Sequence, residues 1–153
     1  MPKLDTLDHI EKVLINMLDV IANLTERASA HDASKLEEPE FSGYAEMQKA
    51  FTGKEYGTLE YKAVIERFRP IVQHHYENNT HHPEHWPNGV ADMSLLDMLE
   101  MLADWKAASD RRGDDLGKGI DYSVRRFGIS DQLASVLKNT AVELGWIKRG
   151  DDA

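Results

Sequence analysis

The stretch DHIEKVLINMLDVIANL, residues 8–24, places Ile10, Val13, Leu14, Met17, Val20, Ile21 and Leu24 at intervals of three and four. That period belongs to one face of an α-helix and not to the alternation of a strand. Asp5 or Thr6 is positioned to cap the helix, and acidic charge in its first turn suits the helix dipole. The pattern fades near Arg27.

The same period recurs along the chain. Pro39 suits the first turn of a second helix reaching about Phe51, with Phe41, Tyr44, Met47 and Phe51 on its apolar face. Gly53 and Gly57 bracket a turn. A third helix is expected from about Thr58 to Asn78, kinked or split at Pro70, with Tyr61, Val64, Ile65 and Phe68 spaced for burial. The segment NNTHHPEHWPNG, residues 78–89, holds too much asparagine, proline and glycine for a regular helix and reads as an ordered polar loop. From Asp92 to about Asp110, Leu95, Leu96, Leu99, Leu102 and Trp105 form a broad stripe, preceded by Ser94 and Asp97 in the form of a capping box. Residues 111–119 read as a charged, glycine-rich loop before a short helix over 120–127. Ser130 caps a last helix that Gly145 stops near Leu144. With no alternating strand pattern and no repeat, the expectation is an all-α, single-domain bundle of five to six helices over residues 1–153.

Composition narrows the function classes. The chain has 153 residues, 41% of them hydrophobic and 29% charged, which is enough for one buried core. It has no cysteine, so disulfides, thiolate zinc sites, iron–sulfur clusters and cysteine nucleophiles are all excluded. Eighteen basic against 27 acidic residues give a net charge of −9, which argues against duplex nucleic acid and anionic membranes as partners. No apolar run approaches the roughly 18 residues of a membrane span, and the charged start MPKLDTLDHIEK is no secretory signal. A cytoplasmic location is expected.

Histidine is where chemistry concentrates. Seven are present, and five of them fall between residues 74 and 85. His9 shares a helical face with Asp5 and with Val13, which would turn it inward as a satisfied imidazole or as a ligand. His31 and Asp32 are adjacent and open an HDxxK pattern with Ser34 and Lys35. Asp97, Glu100 and Asp104 share one face of a helix. Asp104 lies among Leu102 and Trp105, where a carboxylate wants a metal or an arginine such as Arg27 or Arg69. Imidazoles and carboxylates brought together from several helices make a site for a divalent transition metal.

Taken in order, His9, His31–Asp32 and Asp104 resemble the metal signature of the HD-domain phosphohydrolase superfamily, a helical bundle that holds one or two divalent metals for phosphoester hydrolysis. His31-Asp32-Ala33-Ser34-Lys35 resembles the HDxGK motif of its phosphodiesterase branch, with Ser34 in place of glycine, and His81-His82-Pro83-Glu84 resembles that branch's HHE segment with an added proline. HDASK, HHYENNTHHPEHW and LEMLADW together look like a small uncharacterised family of bacteria and their phages, over roughly residues 5 to 145. The resemblance implies an HD-like domain in which His9, His31, Asp32 and Asp104 bind a first metal. Asp32 would bridge to a second held by His75 or His82. The metal would be Mn, Fe, Co, Ni or Zn, as one or two ions. Lys35 and Asp32 would serve catalysis, Lys35 by contacting a substrate phosphate. The GYP triplet of the cyclic-dinucleotide enzymes is missing; His85-Trp86-Pro87-Asn88-Gly89 stands there instead. Spacing leaves open which histidine of each pair, 74/75 and 81/82, faces the metal.

Other features are secondary. Tyr44, Tyr76, Trp86 and Trp105 are aromatic candidates for stacking a nucleobase, and Glu84, Trp86 and Arg27 for contacting substrate. Arg111, Arg112, Arg125 and Arg126 read as a solvated basic face. GDDLGKG at 113–119 lacks the spacing of a phosphate-binding loop. Two functions stand: a metal-dependent phosphohydrolase acting on a nucleotide or related phosphoester, and a non-catalytic, metal-stabilised binding module. The expected partner is a small phosphorylated molecule, with a homodimer left open.

Overall fold

The computed structural model describes residues 2–54 and 58–148; Gly57, expected to close a turn, lies outside them. Among the described residues the chain is all-helical, with seven α-helices, three short 3₁₀ turns and no strand. Within the 1–153 span two compact units are distinguished, residues 1–33 and 34–153.

The first unit is essentially one helix, α1 (Pro2–Ala30), 29 residues in length and therefore about 43 Å long. It begins before the caps expected at Asp5 or Thr6 and runs past Arg27. Ion pairing between Lys12 Nζ and Asp8, 2.6 Å apart and one turn away, lies along its surface. Its apolar residues, Ile10, Leu14, Met17 and Ile21 among them, are exposed, and so is His9. The inward orientation expected of His9 is therefore corrected: periodicity identifies an apolar face but not whether that face is covered.

The second unit holds α2 (Glu40–Phe51), α3 (Leu59–Arg67), α4 (Arg69–Asn78), α5 (Leu95–Arg112), α6 (Leu116–Phe127) and α7 (Asp131–Glu143). The single helix expected over 58–78 is two, divided at Phe68. Pro70 falls in the first turn of α4, where its missing N–H costs nothing, and the buried Phe68 ends α3 with a non-helical ψ of 15°. That division accounts for the seventh helix. Helix α6 starts four residues earlier than glycine content suggests. Asp115 caps it, accepting from the Lys118 N–H, and Leu116 and Ile120 are buried one turn apart. Burying two such side chains, at roughly 1.5–3 kcal/mol each, outweighs about 1 kcal/mol for each of two helical glycines. The capping box of α5 is present as expected, with Ser94 and Asp97 exchanging side-chain-to-backbone bonds, and Gly113 closes the helix at a φ of 72°. Ser130 caps α7 by accepting from Leu133 N–H.

Two apolar clusters organise this unit. Helices α5, α6 and α7 pack around Met101, Leu102, Ile120, Leu137 and Ala141, with Val90 and Met93 joining from the segment before α5. Helices α2, α3 and α4 close around Met47, Val64 and Phe68. The polar loop over 78–89 is ordered between α4 and α5 by turns at Pro83–His85 and Gly89–Asp92.

Candidate metal centre

Helix α4 presents Phe68, Ile71, His75 and Asn79 at intervals of three and four, which turns His75 inward with the apolar residues and leaves His74 at the rim. His75 is 3% exposed, and Glu40, at the start of α2, is fully buried beside it. The Glu40 carboxylate receives both imidazoles: His74 Nδ1 lies 2.8 Å from Oε1, and His75 Nδ1 lies 2.9 Å from Oε2. Burial alone would push the Glu40 carboxyl up. Hydrogen bonds from His74, Ser34 and His75, with charge on His75, instead bring it below the ordinary carboxylate value. An ionised carboxylate only accepts, so Nδ1 of His75 carries a proton; when the ring is neutral, Nε2 holds the lone pair. Asn79 ties the arrangement together, its Nδ2 donating to Ser34 Oγ and to the His75 carbonyl, 2.8 Å each.

Nε2 of His75 faces Nε2 of His82 at 2.9 Å. His81 joins them. Its ring centroid is 4.2 Å from that of His82 and 6.3 Å from that of His75. One ring nitrogen from each of His75, His81 and His82 lies within 4.8 Å of the others. Two imidazole nitrogens on one tetrahedral ion stand about 3.3 Å apart, so the three rings are close enough that they could hold one ion. His81, 2% exposed, also has Nδ1 3.2 Å from Glu100 Oε1 on α5. A carboxylate behind a histidine fixes its tautomer and strengthens it as a ligand. Glu40 does this for His75, and Glu100 stands in the same relation to His81.

The loop bearing His81 and His82 is also held by bonds that use none of the ring nitrogens of His75, His81 and His82. Thr80 Oγ1 donates to Asp97 Oδ1 at 2.7 Å, and Trp86 Nε1 donates to the Thr80 carbonyl at 2.9 Å. His85 Nδ1 lies 2.9 Å from the Tyr76 carbonyl. Asp97 serves the α5 cap, as its place in the capping box implies, and the Thr80 bond. Trp86, offered as a substrate contact, is packed against the larger apolar cluster with its N–H engaged in the loop.

Asp104 and His82 both line a cavity of about 250 Å³ between α4, α5 and α6. Arg69, suggested as the partner of Asp104, pairs on the surface with Glu66. Glu84 is bound by Arg126, 2.7 Å away across the same cavity. Burial works to lower the Arg126 guanidinium, but Glu84 and Tyr76 more than offset it, so its pKa is raised. Burial and the adjacent Glu84 push the Tyr76 phenol up.

In the first unit, His31 and Asp32 close α1. His31 Nε2 is 3.5 Å from Asp32 Oδ2, and Asp32 adopts a left-handed φ of 55°, a conformation that aspartate tolerates better than most residues. Arg27 lies in the last turn of the helix. His9 and His31 are 22 residues apart along α1, or about 33 Å, so His9 cannot share an ion with His31 in one chain. Asp32 breaks the helix, and Lys35 lies in the following 3₁₀ turn, Ala33–Leu36. Lys35 is therefore not one helical turn beyond His31. Its ammonium sits over the Tyr44 ring, 5.3 Å from the centroid.

Glu100 and His81, the one named on a shared carboxylate face and the other in a pair left open, join the constellation, and Glu40 completes it without having stood out in the sequence. Glu40 is one of four glutamates between residues 37 and 46, and nothing local separates it from the rest. A family model matches residues 3–143, and its description is "Family of unknown function (DUF5662)". The chain belongs to that family. No curated protein and no solved structure matches the chain.

Proposed function

We propose that this member of a family without an assigned activity is a metal-dependent phosphohydrolase with an HD-like helical domain, acting on a nucleotide or a related phosphoester. The observation that carries the reading is the His75–His81–His82 cluster, with Glu40 and Glu100 behind two of its rings. Neutral imidazoles backed by carboxylates suit a divalent transition ion, of the Mn, Fe, Co, Ni or Zn class. Asp104 contributes a further carboxylate beside His82. His31 and Asp32 enter as ligands through their motif alone, and Asp32 with it as a catalytic carboxylate. A bound ion supplies water of lowered pKa and a Lewis acid for the phosphoryl oxygen. In such a hydrolysis the water oxygen would bond to phosphorus as the ester P–O bond breaks, with the proton passing to the departing oxygen. Lys35, a compact cation, offsets charge on the phosphoryl oxygens.

Elemental analysis of untagged protein, followed by an aryl phosphate and phosphodiester panel with manganese, cobalt or nickel, tests the proposal. Bound metal, a melting temperature lowered by chelator and metal-dependent turnover are expected. His31→Ala and Asp104→Ala should each lose metal, whereas Lys35→Ala should keep metal and lose turnover. A metal-free protein with a chelator-insensitive melting curve overturns the metal reading. Metal without turnover on any substrate of the panel leaves a metal-stabilised binding module.

A further inference from the structure

The cavity beside His82 has a composition unlike that of the chain. Tyr76, Trp105, Tyr122 and Phe127 are four of its fourteen lining residues, whereas aromatic residues are 8% of the sequence. Trp105 and Phe127 present nearly parallel rings, 6° apart in tilt with centroids 6.4 Å apart. Aromatic walls of this kind bind planar rings through stacking and apolar burial.

The same cavity contains a guanidinium whose partner is internal. Arg126 donates to Glu84 Oε1 at 2.7 Å and is braced against the Phe127 ring, 4.7 Å from its centroid. Tyr76 lines the cavity beside Arg126 and Glu84 and lies 5.0 Å, ring to ring, from His82. One residue thus separates this guanidinium from the histidine cluster. A carboxylate held on an arginine occupies the place that an incoming anion would take, and the five-donor fork of arginine matches phosphate as well as carboxylate. The basic pair 125/126, read from sequence as solvated face, therefore contains one residue directed into a cavity.

We propose that this cavity binds a phosphoester bearing a planar aromatic group, with the ring against Trp105 and Phe127 and the phosphate on Arg126 in place of Glu84. The inference rests on the phosphohydrolase reading for its link to turnover, but binding in the cavity can be measured without metal or catalysis. It makes Arg126 a specificity-determining residue and Glu84 its resting counter-ion.

The test is calorimetric titration of the full chain, stripped of metal by chelator, with phenylphosphonate and with methylphosphonate. Phenylphosphonate should bind at least tenfold more tightly. Arg126→Ala should reduce phenylphosphonate binding by tenfold or more, with Arg126→Lys recovering part of it. Glu84→Gln should tighten binding several-fold by removing the competing carboxylate, an effect that general loosening of the fold would not produce. Trp105→Leu should bring the two ligands closer together in affinity. Equal affinity for the two phosphonates, or wild-type binding by Arg126→Ala, overturns the proposal. The two readings fail separately: a metal-free protein that still prefers phenylphosphonate removes the metal and keeps the cavity, while a metal-loaded protein without that preference does the reverse.

Discussion

Helices α5–α7 and helices α2–α4 are built on different terms. The first group encloses eleven buried apolar residues, including Leu102 and Ile120 with no exposed surface. The second encloses three, Met47, Val64 and Phe68. What α2 and α4 lack in apolar contact they hold partly through charge, with the buried Glu40 carboxylate gripping His74 and His75. A buried carboxylate in such a seam is costly unless satisfied, so the smaller cluster depends on protonation state and the larger does not. The histidine loop runs between them, with His75 on the charge-held side and Glu100 and Asp104 on the apolar side. The arrangement teaches that the two sides of the loop are held differently: the α5 wall by apolar burial, and α4 in part by the Glu40 carboxylate.

The largest effect that would sharpen this contrast is Leu102→Ala. Truncation at this fully buried site should cost about 4 kcal/mol, or a melting temperature lower by roughly 10 °C. Chelator should shift the variant and the wild type equally, because the wall is apolar. If the loss changes with metal, the two clusters are not independent.

Glu40→Gln is the counterpart on the other side. Losing the carboxylate behind His75 should weaken metal binding about 10- to 100-fold, that is by about 1.4–2.7 kcal/mol. It should also change the acid limb of the stability curve. The folded carboxyl lies below its ordinary value, so the unfolded chain takes up the proton first. The stabilisation is complete above the ordinary carboxylate range and is lost as pH falls through the folded value. Thermal melts between pH 3 and pH 7 should therefore show a flatter acid limb in Glu40→Gln than in the wild type. Parallel acid limbs would break the comparison.

The smallest expected effect is Ser94→Ala. It removes both the cap of α5 and a hydrogen bond to Asp97, for about 1 kcal/mol. Metal content measured after dialysis should be unchanged, because Asp97 remains bonded to Thr80.

The helices were legible because burial imposes a period, and capping residues such as Ser94 and Ser130 mark where the period starts. The misreadings came where the period is silent. Along α1 it identifies an apolar stripe that the structure leaves exposed, and this misplaced His9. At residues 116–119 two glycines masked a helix that Leu116 and Ile120 hold by burial. Between His74 and His75 the answer was present in the sequence, since Phe68, Ile71 and His75 share a face. Glu40 was not legible, because its partners are 34 and 35 residues away and no local spacing joins them. Arg126 was hidden by its neighbour: a pair of adjacent arginines looks like surface, yet adjacent helical positions face different directions.

Gly43 gives the site a property that no ligand list contains. A Cβ there would come within 2.6 to 2.9 Å of three side-chain carbons of Ile71, so α2 and α4 touch where a single methyl group is missing. Glu40 stands one turn before Gly43 on α2, and His75 one turn after Ile71 on α4. The seam that sets the helix separation therefore also sets the reach from carboxylate to imidazole. A methyl at residue 43 would act as a wedge against the Ile71 side chain, one turn from His75. The alignment of the chemistry is held by an omission, at a position that carries no chemistry of its own.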